Sequence, residues 1–268
     1  MPEGDTVHRL ADRLHAALAG LDLARSDVRV PRFATVDLAG QRVDEVVAHG
    51  KHLLMRLDEV TVHSHLKMEG AWHVHPLGTR WSRPAHEARI VLETAPSTRG
   101  TVDAPPLQAV GFALGELDLV GHDAEHEVVG HLGPDPLRDD WNRTEALRRL
   151  TAQPSRPIGL ALLDQRAVAG FGNDYRNEVL FLRGVLPETP VAETDVEAVL
   201  DLAVRLIRAN RDRAERVTTG NLRRGERLWV AHRDGRPCRR CGTRIERGLL
   251  GDDPTSERIT WFCPRCQR

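Results

Sequence analysis

Residues 162–180 read LLDQRAVAGFGNDYRNEVL, and where this stretch breaks decides the fold of the C-terminal half of the chain. Apolar residues recur at helical spacing from Ile158 through IGLALLDQRAVAG and again through DYRNEVLFLRG. Gly170 and Gly172 break one helix, and Asn173 is placed to cap the next. A glycine-rich turn before a helix start presents backbone N–H groups and the helix dipole to an anion, so a nucleic-acid phosphate could dock there. A plain antiparallel helix pair carries the same pattern, so the stretch alone fixes helices rather than a ligand. A further helix is expected over about 193–211, with Val196, Val199, Leu200, Ala203, Leu206 and Ile207 on one face. Glu178 is expected to be a buried or interhelical hydrogen-bonding acid that orders the turn rather than a catalytic group.

Toward the C-terminus, four cysteines fall as two C-x2-C pairs, Cys238/Cys241 and Cys263/Cys266, with 21 residues between them. Four thiolates so spaced suit one closed, tetrahedral, structural zinc ion, with no position left for water. Two disulfides are the rival reading, which a cytosolic chain disfavours. Trp229, Trp261 and Phe262 flank the pairs and are expected to form their small core.

Toward the N-terminus, 130–157 reads as a Pro-rich connector leading into a short helix. Before it, strands are predicted at 27–33, 42–49, 52–58, 60–66, 71–75, 88–94 and 107–120, a spacing that suits an antiparallel sandwich. A helix from Thr6 to near Gly20, with Val7, Leu10, Leu14, Ala17, Leu18 and Leu21 on one stripe, packs on that sheet. His63/His65 and His73/His75 are i, i+2 pairs that each share a strand face; a second metal site there is less economical than ordinary strand histidines.

The 268 residues can bury two cores, and no apolar run approaches the ~18 residues of a membrane span. The acidic, helical N-terminus does not read as a signal peptide, so a soluble cytoplasmic protein is expected. The net charge of −1 hides an asymmetry: residues 205–268 hold 17 Arg against 8 Asp/Glu, while residues 1–204 carry an excess of acids. A basic C-terminal quarter points to a polyanion, nucleic acid first. Only Lys51 and Lys67 are lysine among 38 basic residues.

The first residues, Met1-Pro2-Glu3, carry the candidate chemistry. Removal of Met1 would leave a secondary amine with a pKa of roughly 8, against about 10.4 for lysine, so about a fifth of it is neutral near pH 7.4. Such an amine can attack an aldehyde-like carbon to give an iminium, with Glu3 beside it for acid–base help. Pro2, Glu3, Asp5 and Thr6 would equally well start a helix and do nothing else.

Taken together, PEGDT, GKHLLMRL, SHLKMEGAW, LLDQRAVAGFGNDYRNEVLFLRG and HRDGRPCRRCG…ERITWFCPRCQR resemble the bacterial formamidopyrimidine-DNA glycosylase/endonuclease VIII family over essentially the whole chain. The endonuclease VIII branch is the closer, notably in HRDGRPCRRCG. The resemblance implies an α+β protein in which damaged DNA lies in a cleft between domains. Its parts would be an N-terminal catalytic β-sandwich over 1–130, a linker and the start of a helical domain over 131–157, a helix–two-turn–helix DNA-binding domain over 158–230 and a zinc β-hairpin finger over 231–268. It further implies a bifunctional glycosylase and abasic-site lyase of base excision repair. Pro2 would be the Schiff-base nucleophile, Glu3 would assist ring opening, and Lys51, Asn173 and Arg258 would grip phosphate beside the lesion.

The chain departs from the family in its longer finger loop before Arg258 and in AVGFALGELDLV, which lacks void-filling arginines. Filling the hole left by a flipped base then falls to Lys67-Met68-Glu69, with Met68 as the wedge. The missing arginines favour oxidised pyrimidines as substrates. The alternative from another class is a non-catalytic zinc-finger protein that binds damaged or abasic DNA, which would have no use for a trimmed Pro2-Glu3. A zinc hydrolase would need an open metal position and an HExxH helix, and the sequence offers neither.

Overall fold

The computed structural model describes residues 2–99 and 102–268, so Met1, whose removal the chemistry above requires, lies outside the described residues. Contacts divide the chain into two units, one holding Pro2 and Thr6–His131, the other Glu3–Asp5 and Leu132–Arg268.

The first unit is a sandwich of two antiparallel four-stranded sheets. Its strands in chain order are β1 (Leu23–Val28), β2 (Val43–His49), β3 (His52–Leu57), β4 (Val60–His65), β5 (Ala71–Pro76), β6 (Ala88–Thr94), the short pair β7 (Ser97–Arg99) and β8 (Val102–Ala104), β9 (Leu107–Phe112) and β10 (Glu116–Gly121). One sheet has the order β1-β6-β9-β5 and the other β10-β4-β3-β2. Alternation puts Leu53, Met55, Leu57 and Val62 of one sheet against Ile90, Leu92, Ala109 and Trp72 of the other. Helix α1 (Gly4–Leu18) adds Val7, Leu10, Leu14 and Leu18 to the same core. Ser64, buried among these residues, accepts Trp72 Nε1–H at 3.1 Å, which satisfies a polar group that burial would otherwise strand. The short helix α2 (Glu125–Val129) lies beyond β10; Glu125 is bound by Arg56 of β3 and Thr61 of β4.

Two strand expectations change. The run predicted as one strand over 107–120 is two strands in different sheets, because the chain turns at Ala113, in the left-handed region at φ 45°. The turn is held by Ala113 N–H to Glu87 O and Gly115 N–H to His65 O. The strand predicted at 27–33 ends at Val28; Pro31, with no N–H to give a ladder, opens a 3-10 turn over Pro31–Phe33 instead.

The second unit is helical with a hairpin. It holds α3 (Arg143–Leu150), α4 (Ile158–Ala161), α5 (Asn173–Arg183), α6 (Val196–Asn210), β11 (Glu246–Leu250) and β12 (Arg258–Phe262). Asn142 and Asp195 cap α3 and α6 through Glu145 N–H and Ala198 N–H, and Gly184 ends α5 in the left-handed conformation. Val168, Phe171, Tyr175, Val179, Leu200, Ala203 and Ile207 share one core. Trp229, Trp261, Phe181, Cys238 and Cys263 form a second core under the hairpin, as expected for the two tryptophans.

The helical period read through IGLALLDQRAVAG misleads. Only one turn of helix forms there, followed by a buried loop. The side-chain amide of Gln165 donates to Leu163 O and Phe171 O and accepts Gly170 N–H, supplying bonds that a helix would otherwise provide. The apolar spacing reflects burial of that loop rather than helix.

Candidate active site

Glu3 is completely buried at the start of α5. Its Oε2 accepts Gly172 N–H at 2.9 Å and its Oε1 accepts Asp174 N–H at 2.8 Å. These are donors that a helix start leaves without intrahelical partners, and the N-cap residue, Gly172, has no side chain to serve them. The cap expected from Asn173 therefore comes from Glu3, 169 residues from Gly172 in sequence. Asn173 itself is the first residue of the helix.

Glycine is what allows the approach. A Cβ on Gly172 would lie 2.5 Å from Glu3 Cδ, and one on Gly4 would lie 2.9 Å from Gly170 Cα. Gly4 N–H also donates to Gly170 O at 2.8 Å. The sequence shows PEGDT and AGFGN as two separate motifs; in the fold they are one.

Around this junction sits a buried charge network that sequence reasoning missed. Arg216, 9% exposed, donates through Nε and Nη2 to both oxygens of Asp5, at 3.1 and 2.8 Å, and through Nη1 to Asp174 Oδ2 at 2.6 Å. Glu3 Oε1 lies 3.5 Å from the same Nη1. The guanidinium stacks over Tyr175 at 4.6 Å, and the Tyr175 hydroxyl donates to Asp5 Oδ2 at 2.8 Å. Burial works against the Arg216 charge, but Glu3 and Asp5 more than offset it and hold its pKa well above the usual value. Asp174 has the same conflict: burial pushes its pKa up, while the hydrogen bond with His232 at 2.9 Å and the Arg216 charge bring it down. Nothing in a single sequence ties Arg216, in a segment rich in arginine, to Asp5.

At the same end of α5, Asn173 Nδ2 donates to Ile259 O at 2.9 Å, the residue that follows Arg258 in β12. Arg176, 1% exposed, donates through Nη2 to Asn173 Oδ1 at 2.5 Å and to Ile259 O at 2.7 Å. Its Nε and Nη1 have no protein partner, and burial lowers its pKa to about 10. Two buried guanidinium donors left without an acceptor suit an anion. The exposed Arg258 opens β12 opposite Leu250, at the end of the hairpin loop. Asn173, Arg258 and this arginine are thus brought together through Ile259.

Glu178 is fully buried, as expected, and of the two settings foreseen it is burial, not contact with another helix, that holds. It accepts the N–H groups of Trp229, Val230 and Ala231 at 2.7–2.9 Å and the Thr218 hydroxyl, so it straps the 229–231 segment to α5.

The four cysteines converge: their sulfurs all lie within 4.8 Å of one another, with Cys238–Cys266 at 3.9 Å and Cys241–Cys263 at 3.4 Å. A tetrahedral ion with metal–sulfur bonds of about 2.3 Å needs sulfurs about 3.8 Å apart, so the set fits one metal ion and is not a pair of disulfides.

The remaining sequence candidates belong to the sandwich unit. Half-buried Pro2 is followed in the chain by Glu3. Lys51 and Gly50 form the two-residue turn between β2 and β3, set by the His49–His52 pair. Met68 is 67% exposed on the loop between β4 and β5, where Lys67 takes φ 51° and pairs with Glu116 at 2.6 Å. No helix among the described residues is long and apolar enough to cross a membrane.

Comparison with known proteins gives a consistent pattern. The formamidopyrimidine-DNA glycosylase N-terminal domain matches residues 1–104, and the formamidopyrimidine-DNA glycosylase H2TH domain matches residues 132–210. Endonuclease 8 2 of Mycobacterium tuberculosis is 47% identical, with both chains covered completely. Probable endonuclease 8 2 of Streptomyces coelicolor is 50% identical over all of this chain and 94% of its own. The DNA-(apurinic or apyrimidinic site) lyase Nei2 of Mycolicibacterium smegmatis is 47% identical over all of this chain and 99% of its own. Among solved structures, Lactococcus lactis Fpg in complex with abasic-site DNA superposes with a TM-score of 0.78 at 22% identity over 99% of both chains, a likeness of fold.

Proposed function

The chain belongs to the formamidopyrimidine-DNA glycosylase/endonuclease VIII family, the DNA glycosylase/abasic-site lyases of base excision repair, and from that premise we propose that it acts through Pro2 on oxidised pyrimidines in DNA. The observation that carries the reading is Glu3. What sets this carboxylate apart is its place directly after Pro2, fixed by two backbone N–H groups and 3.5 Å from the buried Arg216 guanidinium.

In this mechanism the target nucleotide is flipped out of the duplex, because its C1′ is out of reach in the stack. The neutral Pro2 amine attacks C1′, an N–C1′ bond forms and the glycosidic bond breaks as the base leaves with the electron pair and takes a proton from water. The nitrogen gives its proton to Glu3, which two backbone donors keep ready as an acceptor. Glu3 returns the proton to O4′ as the C1′–O4′ bond breaks, leaving an open-chain iminium. That iminium withdraws electrons and acidifies the 2′-hydrogen, so β-elimination and then δ-elimination release the two phosphates and leave a one-nucleotide gap. Lys51, Asn173 and Arg258 bind the backbone beside the lesion, and the unpartnered nitrogens of Arg176 support an anion at this end of α5. Met68, exposed on its loop, enters the void left by the flipped base. The preference for oxidised pyrimidines such as thymine glycol rests on the absence of arginines from AVGFALGELDLV.

Cys238, Cys241, Cys263 and Cys266 would hold one structural zinc ion, which supplies folding energy to the hairpin bearing Arg258 rather than chemistry. We propose that the chain works as a monomer.

Borohydride added during reaction with abasic-site DNA tests the reading. Protein with Met1 removed should become covalently locked to the strand through Pro2. Protein that retains a residue before Pro2 has only an amide nitrogen there and should not. Undiminished trapping in that form, or an adduct mapped to Lys51, would overturn the proposal.

A further inference from the structure

The sandwich unit carries a second cluster of metal-binding side chains, away from the four cysteines. In β3, β4 and β10 the pairings His52 with His65, His65 with Glu116, and His63 with Asp118 place all five side chains on one face. That face is opposite the one bearing Leu53, Met55 and Val62, so these histidines are not filling the sandwich core. Among the described residues, His52, His63 and Glu116 each offer a ligand atom within 4.8 Å of the others. The reading of His63 and His65 as strand histidines did not include His52, which faces His65 from β3.

We infer that His52, His63 and Glu116 form a binding site for a borderline divalent transition ion, of the class of Zn2+ or Co2+, with at least one position open to water.

Three features support this. His52 Nδ1 and His63 Nε2 lie at hydrogen-bond distance, 2.8 Å, so the two ring nitrogens share a proton that a bound ion would displace. A tetrahedral ion with metal–nitrogen bonds of 2.0–2.1 Å needs such nitrogens about 3.3 Å apart, an opening of only about half an ångström. Second, the other nitrogen of His63 lies 3.4 Å from Asp118 Oδ2. A carboxylate behind a ligating imidazole fixes its tautomer, a usual companion of metal-bound histidine. Third, His52 and His63 are buried, 9% and 2% exposed, so both rings are already withdrawn from water. Lys67 Nζ, 2.6 Å from Glu116 Oε1, competes with the ion for that carboxylate or shares it through the second oxygen.

An ion there would tie β3, β4 and β10 together directly after Lys51. The site itself does not depend on how Pro2 acts.

Tag-free full-length protein with its cysteine site loaded, dialysed without DNA against a slight excess of Co2+, tests the site. The expected result is one cobalt bound beyond the metal held by the cysteines. Its d–d absorption should lack a thiolate-to-metal charge-transfer band. His63→Asn and His52→Asn should each weaken binding at least tenfold, and Asp118→Asn by roughly 10–100-fold. Glu116→Gln, at a half-exposed position, should weaken it too and keeps the test open if either histidine variant fails to fold. Absence of extra cobalt, a thiolate band alone, or full uptake by Glu116→Gln and both histidine variants would overturn the inference. Borohydride trapping through Pro2 reads the catalytic proposal separately, so either idea can fail alone.

Discussion

Two buried carboxylates meet helix α5, and they are built in opposite ways. Glu3 comes from outside the helix and sits on its first turn, while Glu178 belongs to the helix and reaches out to a strap of chain. Both are 0% exposed, and both accept backbone N–H groups. Glu178 is held only by neutral donors, three amides and a hydroxyl, and burial pushes its pKa up against their pull. Glu3 has two amides and, in addition, the fixed positive charge of Arg216 at 3.5 Å, shared with Asp5 and Asp174. Burial alone is therefore no sign that an acid is catalytic. What separates the two is a neighbouring charge network and the residue next in the chain.

The sharpest way to break this comparison is to remove the acid from each while keeping its shape. Glu3→Gln should lower base excision by roughly 10²–10⁴-fold, the usual contribution of a positioned acid–base group. Cleavage of a preformed abasic site should fall far less, since its sugar already equilibrates with the ring-open aldehyde and Glu3 need not open the ring. Glu178→Gln should leave excision nearly intact in whatever fraction folds. Equal losses of excision in the two variants would erase the distinction.

The next effect is on stability. Glu178→Ala strands four donors around an empty space, and each buried unsatisfied group costs about 1–3 kcal/mol. A loss of roughly 3 kcal/mol or more in denaturant unfolding is expected, with the hairpin freed from α5. A loss below about 1 kcal/mol would mean water replaces the carboxylate and the strap is incidental.

How much of this was legible in the sequence depends on the range of each interaction. The sandwich, α1, α6 and the cysteine cluster follow from patterns within a few residues: alternation, the 3.6 period and paired C-x2-C. The motif residues Glu3, Asn173 and the four cysteines were visible, but not that Glu3 caps the helix begun by Asn173. Gly4 and Gly170 give no hint that they touch. Arg216 was one of seventeen arginines in the basic quarter and carries no local mark. Gln165 deceived for a different reason, since a side chain that mimics helical hydrogen bonds leaves the apolar spacing of a helix without the helix. At Ala113 a non-glycine residue in a left-handed turn hid the switch between sheets.

A smaller effect is expected at Arg258, which the Glu3 end of α5 positions through Asn173 and Ile259. Arg258→Ala should weaken binding to all DNA sequences alike and flatten the slope of log K against log salt by about 0.9. An unchanged slope would place Arg258 off the DNA.

The smallest effect concerns His232, the outermost member of the network around Glu3. Its hydrogen bond to Asp174 raises its pKa above 6.5 against a lesser pull from burial, while Asp174 is held below 3.8. The signs follow from linkage. A raised histidine contributes stability that is fully present below 6.5 and is lost as pH rises through its folded pKa. A depressed aspartate contributes stability present above 3.8 and lost as pH falls through its folded pKa. The charged pair is therefore complete from about pH 4 to 6.5 and fades on the alkaline side first. His232 is 56% exposed, so solvent screens the pair and the effect is modest. In thermal melts, His232→Gln should lower Tm slightly at pH 5.5 and converge with the wild type above pH 8. Added salt should shrink the gap. A difference at His232 that grew with pH would show that the imidazole works there as a neutral hydrogen-bonding group and not as part of the charge network.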